Sequence, residues 1–77
     1  MEQEKFIELF ADQFDDTPRE MFTMDLEFKT LDEWTSLSAL SIIAMVDDEY
    51  DVTLRGNDIK EAKTIEDLFN TVKAKKA

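Results

Sequence analysis

The chain has 77 residues, 19 acidic and 9 basic side chains, a formal charge of -10, and neither cysteine nor histidine. That is one domain, residues 1–77, with no residues for a disulfide, for a thiolate or imidazole metal site, or for nucleophilic catalysis by Cys or a Ser–His pair. Nucleic acid and anionic membrane surfaces need clustered Lys and Arg, so neither is an expected partner.

An apolar fraction of 43% is too high for a disordered acidic tail. No apolar run reaches membrane-spanning length and no signal peptide is recognised, so a soluble, cytoplasmic monomer without enzymatic activity of its own is expected. One Gly and one Pro leave little material for hairpins. The expectation is therefore an all-α fold.

Residues 2 to about 15 read as the first helix, with Phe6, Ile7, Phe10 and Phe14 on one side, Leu9 at its edge, and Glu4, Glu8 and Asp12 outward. Asp15-Asp16-Thr17-Pro18 ends it, because proline cannot continue a helix and restricts the residue before it. Thr17 is a candidate cap for a short turn through Arg19-Glu20-Met21. A long connection follows from Phe22 to Glu33, and Leu26, Phe28 and Leu31 are expected to pin it to the bundle.

The central helix starts near Ser36 and runs to the acidic Asp47-Asp48-Glu49. Its apolar residues form two rows. Ala39, Ile42 or Ile43, Val46 and Tyr50 recur at core-facing spacing, whereas Leu37, Leu40 and Ala44 lie on another face. A small domain gains little by exposing that second row unless something docks on it. Thr35 or Ser36 is placed to cap the helix.

Asp51-Val52-Thr53-Leu54 alternates like a strand but has no second strand to pair with, so it reads as an extended connector with Val52 and Leu54 turned inwards. Arg55-Gly56-Asn57 turns the chain, and Asn57 is the expected cap of a short helix, Asp58 to Ala62. Thr64-x-x-Asp67 opens the last helix as a capping box, with Ile65, Leu68, Phe69 and Val72 buried. Lys73, Lys75 and Lys76 suit its C-terminus, and the last residues are expected to fray. The sum is a four-helix bundle of three longer helices and one short one, with a long first loop.

Clustered carboxylates raise the question of calcium. The best EF-hand register begins at Asp51 and places Gly56 sixth, but it puts Arg55 fifth and Ala62 twelfth, where oxygen ligands belong. That motif is rejected and no specific metal site is expected. Loose divalent-cation binding by Asp47, Asp48, Glu49 and Asp51 stays open as charge relief.

Charge distribution says more. No Lys or Arg occurs between Lys29 and Arg55, so Asp32, Glu33, Asp47, Asp48, Glu49 and Asp51 are uncompensated in local sequence. Solubility alone explains many such runs. Here the run lies beside Leu37, Leu40 and Ala44, and an apolar strip with a one-signed rim suits transient docking: area for affinity, charge for association rate. Ser36 has no histidine to activate it, so any special role is as an attachment point for a group that another enzyme adds.

Ser36-Leu37-x-x-Leu40, the apolar helix after it and the ending Asp47-Asp48-Glu49-Tyr50-Asp51-Val52 resemble the second helix of acyl carrier proteins. The likeness extends over nearly the whole chain: the phenylalanine-rich first helix, the loop with Phe28 and Leu31, the short helix at Asp58 to Ala62 and the Thr64-x-x-Asp67-Leu68 opening. Ser-Leu alone is a trivial match, whereas the ordered set at full domain length is fairly specific. The resemblance implies a bundle of acyl-carrier type. It also implies 4'-phosphopantetheine attached to Ser36 by a phosphopantetheinyl transferase, with acyl groups carried as thioesters on its thiol. The implied partners are acyl-loading and acyl-transferring enzymes of fatty-acid or specialised lipid and polyketide-type biosynthesis. Their basic patches would meet Leu37, Leu40, Ala44, Asp47 and Asp48. Ile43, Val46, Ile59 and Ala62 are the inner residues implied to shelter a chain.

Two positions depart from the family pattern. The residue before the serine is normally an aspartate that helps hold a metal ion during transfer, and here it is Thr35, a poor magnesium ligand. Slower modification, a dedicated transferase, or a substitute carboxylate from Asp32 or Glu33 would follow. Position 41, often acidic, is Ser41. Both point to a specialised carrier. Two other readings fit the same residues: an aminoacyl or peptidyl carrier on this scaffold, and an unmodified acidic helical interaction module.

Overall fold

Phe6 and Phe10 are both fully buried, on a first helix, α1, that spans Gln3–Ala11. A computed structural model describes residues 2–76. α1 stops before the expected end near residue 15. The N–H groups of Gln13 and Phe14 turn to the carbonyls of Phe10 and Ala11 (3.1 and 3.0 Å), and the Gln13 amide caps Leu9 O at 3.2 Å. This tightening keeps Phe14 buried although it is no longer helical.

The long connection is walled into the protein. It contains two 3₁₀ turns, Arg19–Met21 and Phe28–Thr30. Pro18 holds the cap position of the first turn and no side chain caps it, so Thr17 does not have the role expected of it. Phe28 is buried as expected, with Leu26 and Leu31 half-buried against the core; Phe22, equally deep, is an anchor the sequence did not single out. Phe10, Phe14, Phe22, Phe28 and Trp34 form a continuous aromatic cluster. Phe28 meets Phe10 edge-on at 5.2 Å and Trp34 edge-on at 5.0 Å.

The central helix, α2, spans Ser36–Tyr50 and continues through the acidic triplet. Ile42, Met45, Val46 and Tyr50 are buried, and Ala39 and Ile43 are half-buried against them. α2 ends because Asp51 adopts a left-handed conformation (φ 56°, ψ 40°) while its N–H bonds to Asp47 O. Residues 52–54 belong to neither helix nor strand, and Val52 and Leu54 are buried while Thr53 is exposed, as the alternation predicted.

The short helix, α3, spans Gly56–Glu61. It begins earlier than expected: Asn57 lies inside it, and the capping carboxylate is Asp58, which accepts the Arg55 N–H at 2.9 Å. The last helix, α4, spans Ile65–Lys76 and buries Ile65, Leu68, Phe69 and Val72. Its capping box is formed. Asp67 Oδ2 accepts the Thr64 and Lys63 N–H groups (3.1 and 3.0 Å), and Thr64 Oγ1 accepts the Asp67 N–H. These bonds, Thr64's first, lower the Asp67 pKa. The box thus adds stability above the ordinary carboxylate value, and that stability is lost as the pH falls through the lowered one.

The C-terminal lysines make contacts where fraying was expected. Lys75 pairs with Asp58 at 3.4 Å, and Lys76 Nζ donates to Tyr50 O at 3.0 Å. Loop and helix are also joined through backbone, since Met24 O and Leu26 O accept the N–H groups of Glu66 and Ile65 (2.8 and 3.1 Å). Among the described residues there is no strand. The fold is a small all-helical bundle of four helices, 32 × 24 × 20 Å, with a long first connection.

One core group is unsatisfied. The Tyr50 hydroxyl is buried with no hydrogen-bond partner among the described residues, while its ring packs on Phe6 at 5.9 Å. Burial, and secondarily the charge of Glu49, raise its pKa. Removing an unpaired buried hydroxyl relieves its desolvation, so Tyr50→Phe is expected to gain about 1 kcal/mol in urea unfolding near neutral pH. The gain should widen above pH 10.0, where the unfolded phenol ionises before the folded one. A loss of stability at neutral pH would mean that water reaches this hydroxyl.

Candidate functional site

Thr35 caps α2, which settles the choice between it and Ser36. Thr35 is extended (φ −141°, ψ 178°), and its Oγ1 accepts the Ser38 N–H at 3.3 Å. Ser38 Oγ returns the bond by accepting the Thr35 N–H at 3.1 Å, and it lies 3.2 Å from Glu33 O, to which it can donate. Two hydroxyls thus close the box, and Ser36 is left out of it. Ser36 occupies the first helical position, exposed. No acidic residue sits in the first turn of α2, so the positive end of the helix dipole there is unopposed within the helix.

Trp34 fixes this end of the helix. Its ring stacks on Phe14 at 6.2 Å and meets Phe28 edge-on. Glu33 makes a second tie by accepting the Asp16 N–H through Oε2, while its Oε1 is buried without a partner among the described residues. Glu33 is therefore turned towards the Asp16 loop. Asp32 is exposed. Sequence reasoning did not single out Ser38; Thr-x-x-Ser, a weak capping-box pattern, was its only signal.

From Ser36 the second apolar row runs along the outside of α2. Leu37 is 73% exposed and Leu40 61%, and Ala44, Asp47 and Asp48 are exposed as well. Their spacing puts them on one face. Beside the acidic end, α1 and α2 border an open groove of about 670 Å³, with Leu9 and Asp12 on one wall and Ala44, Asp47, Asp48 and Glu49 on the other.

The acids are less isolated in space than in sequence, because Lys76 reaches the C-terminus of α2 from α4. Among the described residues, Asp47 and Asp48 form no ion pair. Asp47, Asp48, Glu49 and Asp51 do not converge on a point, and no group of three or more such ligands is placed to hold a metal ion among the described residues. Likewise, no helix among them is long and apolar enough to cross a membrane.

No family model, curated protein or solved structure matches this chain.

Proposed function

We propose that this chain is an acyl carrier protein. In this reading the Ser36 hydroxyl attacks the pyrophosphate of coenzyme A, catalysed by a phosphopantetheinyl transferase. A phosphodiester to 4'-phosphopantetheine forms and adenosine 3',5'-bisphosphate leaves. The thiol of the arm then carries acyl groups as thioesters to partner enzymes. The chemistry lies in the arm and the partners; the protein supplies attachment and address.

The observation that carries the proposal is the division of labour at the start of α2. Thr35 and Ser38 do the capping. The exposed Ser36 hydroxyl, at the head of an exposed Leu37–Leu40–Ala44 face with acids at its far end, is left for another use. A phosphodiester at this position would also lie against the unopposed dipole of a 15-residue helix. The face favours a partner with a basic rim, whose encounter the acids accelerate. An unmodified interaction module would use the same face without needing Ser36 free.

Intact mass after incubation with coenzyme A and a broad-specificity phosphopantetheinyl transferase tests the proposal. One phosphopantetheine adduct is expected, absent from Ser36→Ala and unchanged in Ser41→Ala. Thr35→Asp is expected to speed a slow reaction. Labelling that survives Ser36→Ala overturns Ser36 as the attachment site, and labelling that fails with every transferase tried overturns the carrier reading and leaves the interaction module. Mass of the protein from its native host separates acyl from aminoacyl cargo.

A further inference from the structure

α3 has six residues, well short of the length at which a helix holds itself together in water. Its own grip on the core is small: Ile59 within the helix and Ala62 just past its end are buried. Its remaining ties are polar and come from elsewhere in the chain. Asp58, near its start, takes the Lys75 ammonium of α4. At its end, Lys29 arrives from the long connection and donates from Nζ to Ile59 O at 3.1 Å and to Lys60 O at 2.7 Å.

The position of Lys29 is suited to that task. The last carbonyls of a helix have no intrahelical partner, and they carry the negative end of its dipole. An ammonium bonded to two of them satisfies both needs. Its neighbour Phe28 is fully buried, which fixes the backbone from which Lys29 reaches. Among the described residues Lys29 forms no salt bridge with a carboxylate, so its charge is committed to these backbone oxygens. A chain with 19 acids thus spends one of its few cations on the end of its shortest helix.

We propose that Lys29 is a clasp that holds α3 shut, and that α3 opens as a unit when the clasp lets go. Opening withdraws Ile59 and Ala62 from the apolar cluster to which they belong, so the clasp sets how often that part of the core is uncovered. The device belongs to the bare chain and operates whether or not Ser36 carries a group.

Amide exchange followed by NMR on the full chain tests this. The reporters are the Ile59 and Ala62 N–H groups, which bond to Arg55 O and Asp58 O. Lys29→Met keeps the aliphatic stem and removes the ammonium. It is expected to speed exchange at both amides by about tenfold, the size of effect that loss of charge-assisted bonds produces in a local opening. Amides of buried α1 and α4 residues, such as Phe10 and Val72, should keep their wild-type rates. Lys29→Arg, which can still donate to both carbonyls, should restore slow exchange. Lys5→Met, which removes an exposed charge on α1, should leave it unchanged. Unaltered exchange at Ile59 and Ala62 in Lys29→Met overturns the proposal. So does equal acceleration in all four helices, or loss of the fold, because Lys29 would then support the whole bundle.

Discussion

Val46→Ser is expected to remove a large part of the domain's stability, and Leu40→Ser, on the same helix, almost none. Val46 is fully buried in the common core. Serine there loses apolar contact, leaves a void and buries a hydroxyl with no evident partner, together about 2–4 kcal/mol. A chain of 77 residues has only about 4–12 kcal/mol in total at the usual stability per residue. Leu40 is 61% exposed, so its replacement should change stability by less than about 0.5 kcal/mol. Half-buried Ile43 should fall between the two. Urea denaturation measures all three. The surface reading adds a second readout: Leu40→Ser should weaken binding to a carrier-dependent enzyme, and Asp47→Lys with Asp48→Lys should slow association more than it speeds dissociation. If Leu40→Ser destabilises the domain as much as Val46→Ser does, the outer row belongs to the core and the docking face loses its support.

Phe28→Ala should be the most damaging single change in the long connection. The ring is fully buried between Phe10 and Trp34, and truncating such a ring costs about 3–5 kcal/mol. The loss should also reach the proposed attachment site, because Trp34 immediately precedes the Thr35 cap and rests on Phe28. Trp34 is the single tryptophan, so its fluorescence reports this end of α2 directly. A lower unfolding midpoint is expected, with red-shifted emission before any denaturant is added. Met21→Ala, at a residue 48% exposed in the same connection, should leave both unchanged. Wild-type emission in a destabilised Phe28→Ala would show that Trp34 is held by Phe14 alone.

The helices were legible wherever apolar periodicity was long and unbroken. Phe6 and Phe10, then Ile65, Leu68, Phe69 and Val72, lie where a period of 3.6 places them. The split of α2 into a buried and an exposed row was also readable, because Leu37 and Leu40 lie off the row of Ala39, Ile42, Val46 and Tyr50. Helix ends were less so. α1 stops at Ala11 while its apolar pattern runs on to Phe14, since a 3₁₀ turn keeps that ring inside. Asn57 is a good capping residue, yet the carboxylate that caps α3 belongs to Asp58, one position on. Periodicity says which side of a helix is apolar, not which hydroxyl or carboxylate reaches a free N–H. The roles of Lys29, Glu33 and Lys76 were hidden for another reason: each meets a backbone group 17 to 31 residues away in sequence, and no local pattern encodes such a meeting. At the site, the exposure of Ser36 followed from its place at the helix start, but its release from capping depended on Ser38.

The carbonyls of Met24 and Leu26 stand where a preceding turn of helix would stand for α4. The first half of the chain thereby completes the second, and neither half can be regarded as a hairpin that folds by itself and docks later. A fragment ending after α2 would leave Met24 O and Leu26 O without their partners. A fragment beginning at α3 would start α4 with two open donors and no aromatic wall. Closing these bonds requires chain segments some 40 residues apart to meet, so much of the entropy of loop closure must be lost before α4 gains its full cap. The bundle should therefore form in one cooperative step in which loop and last helix order together, more slowly than its helical content alone suggests.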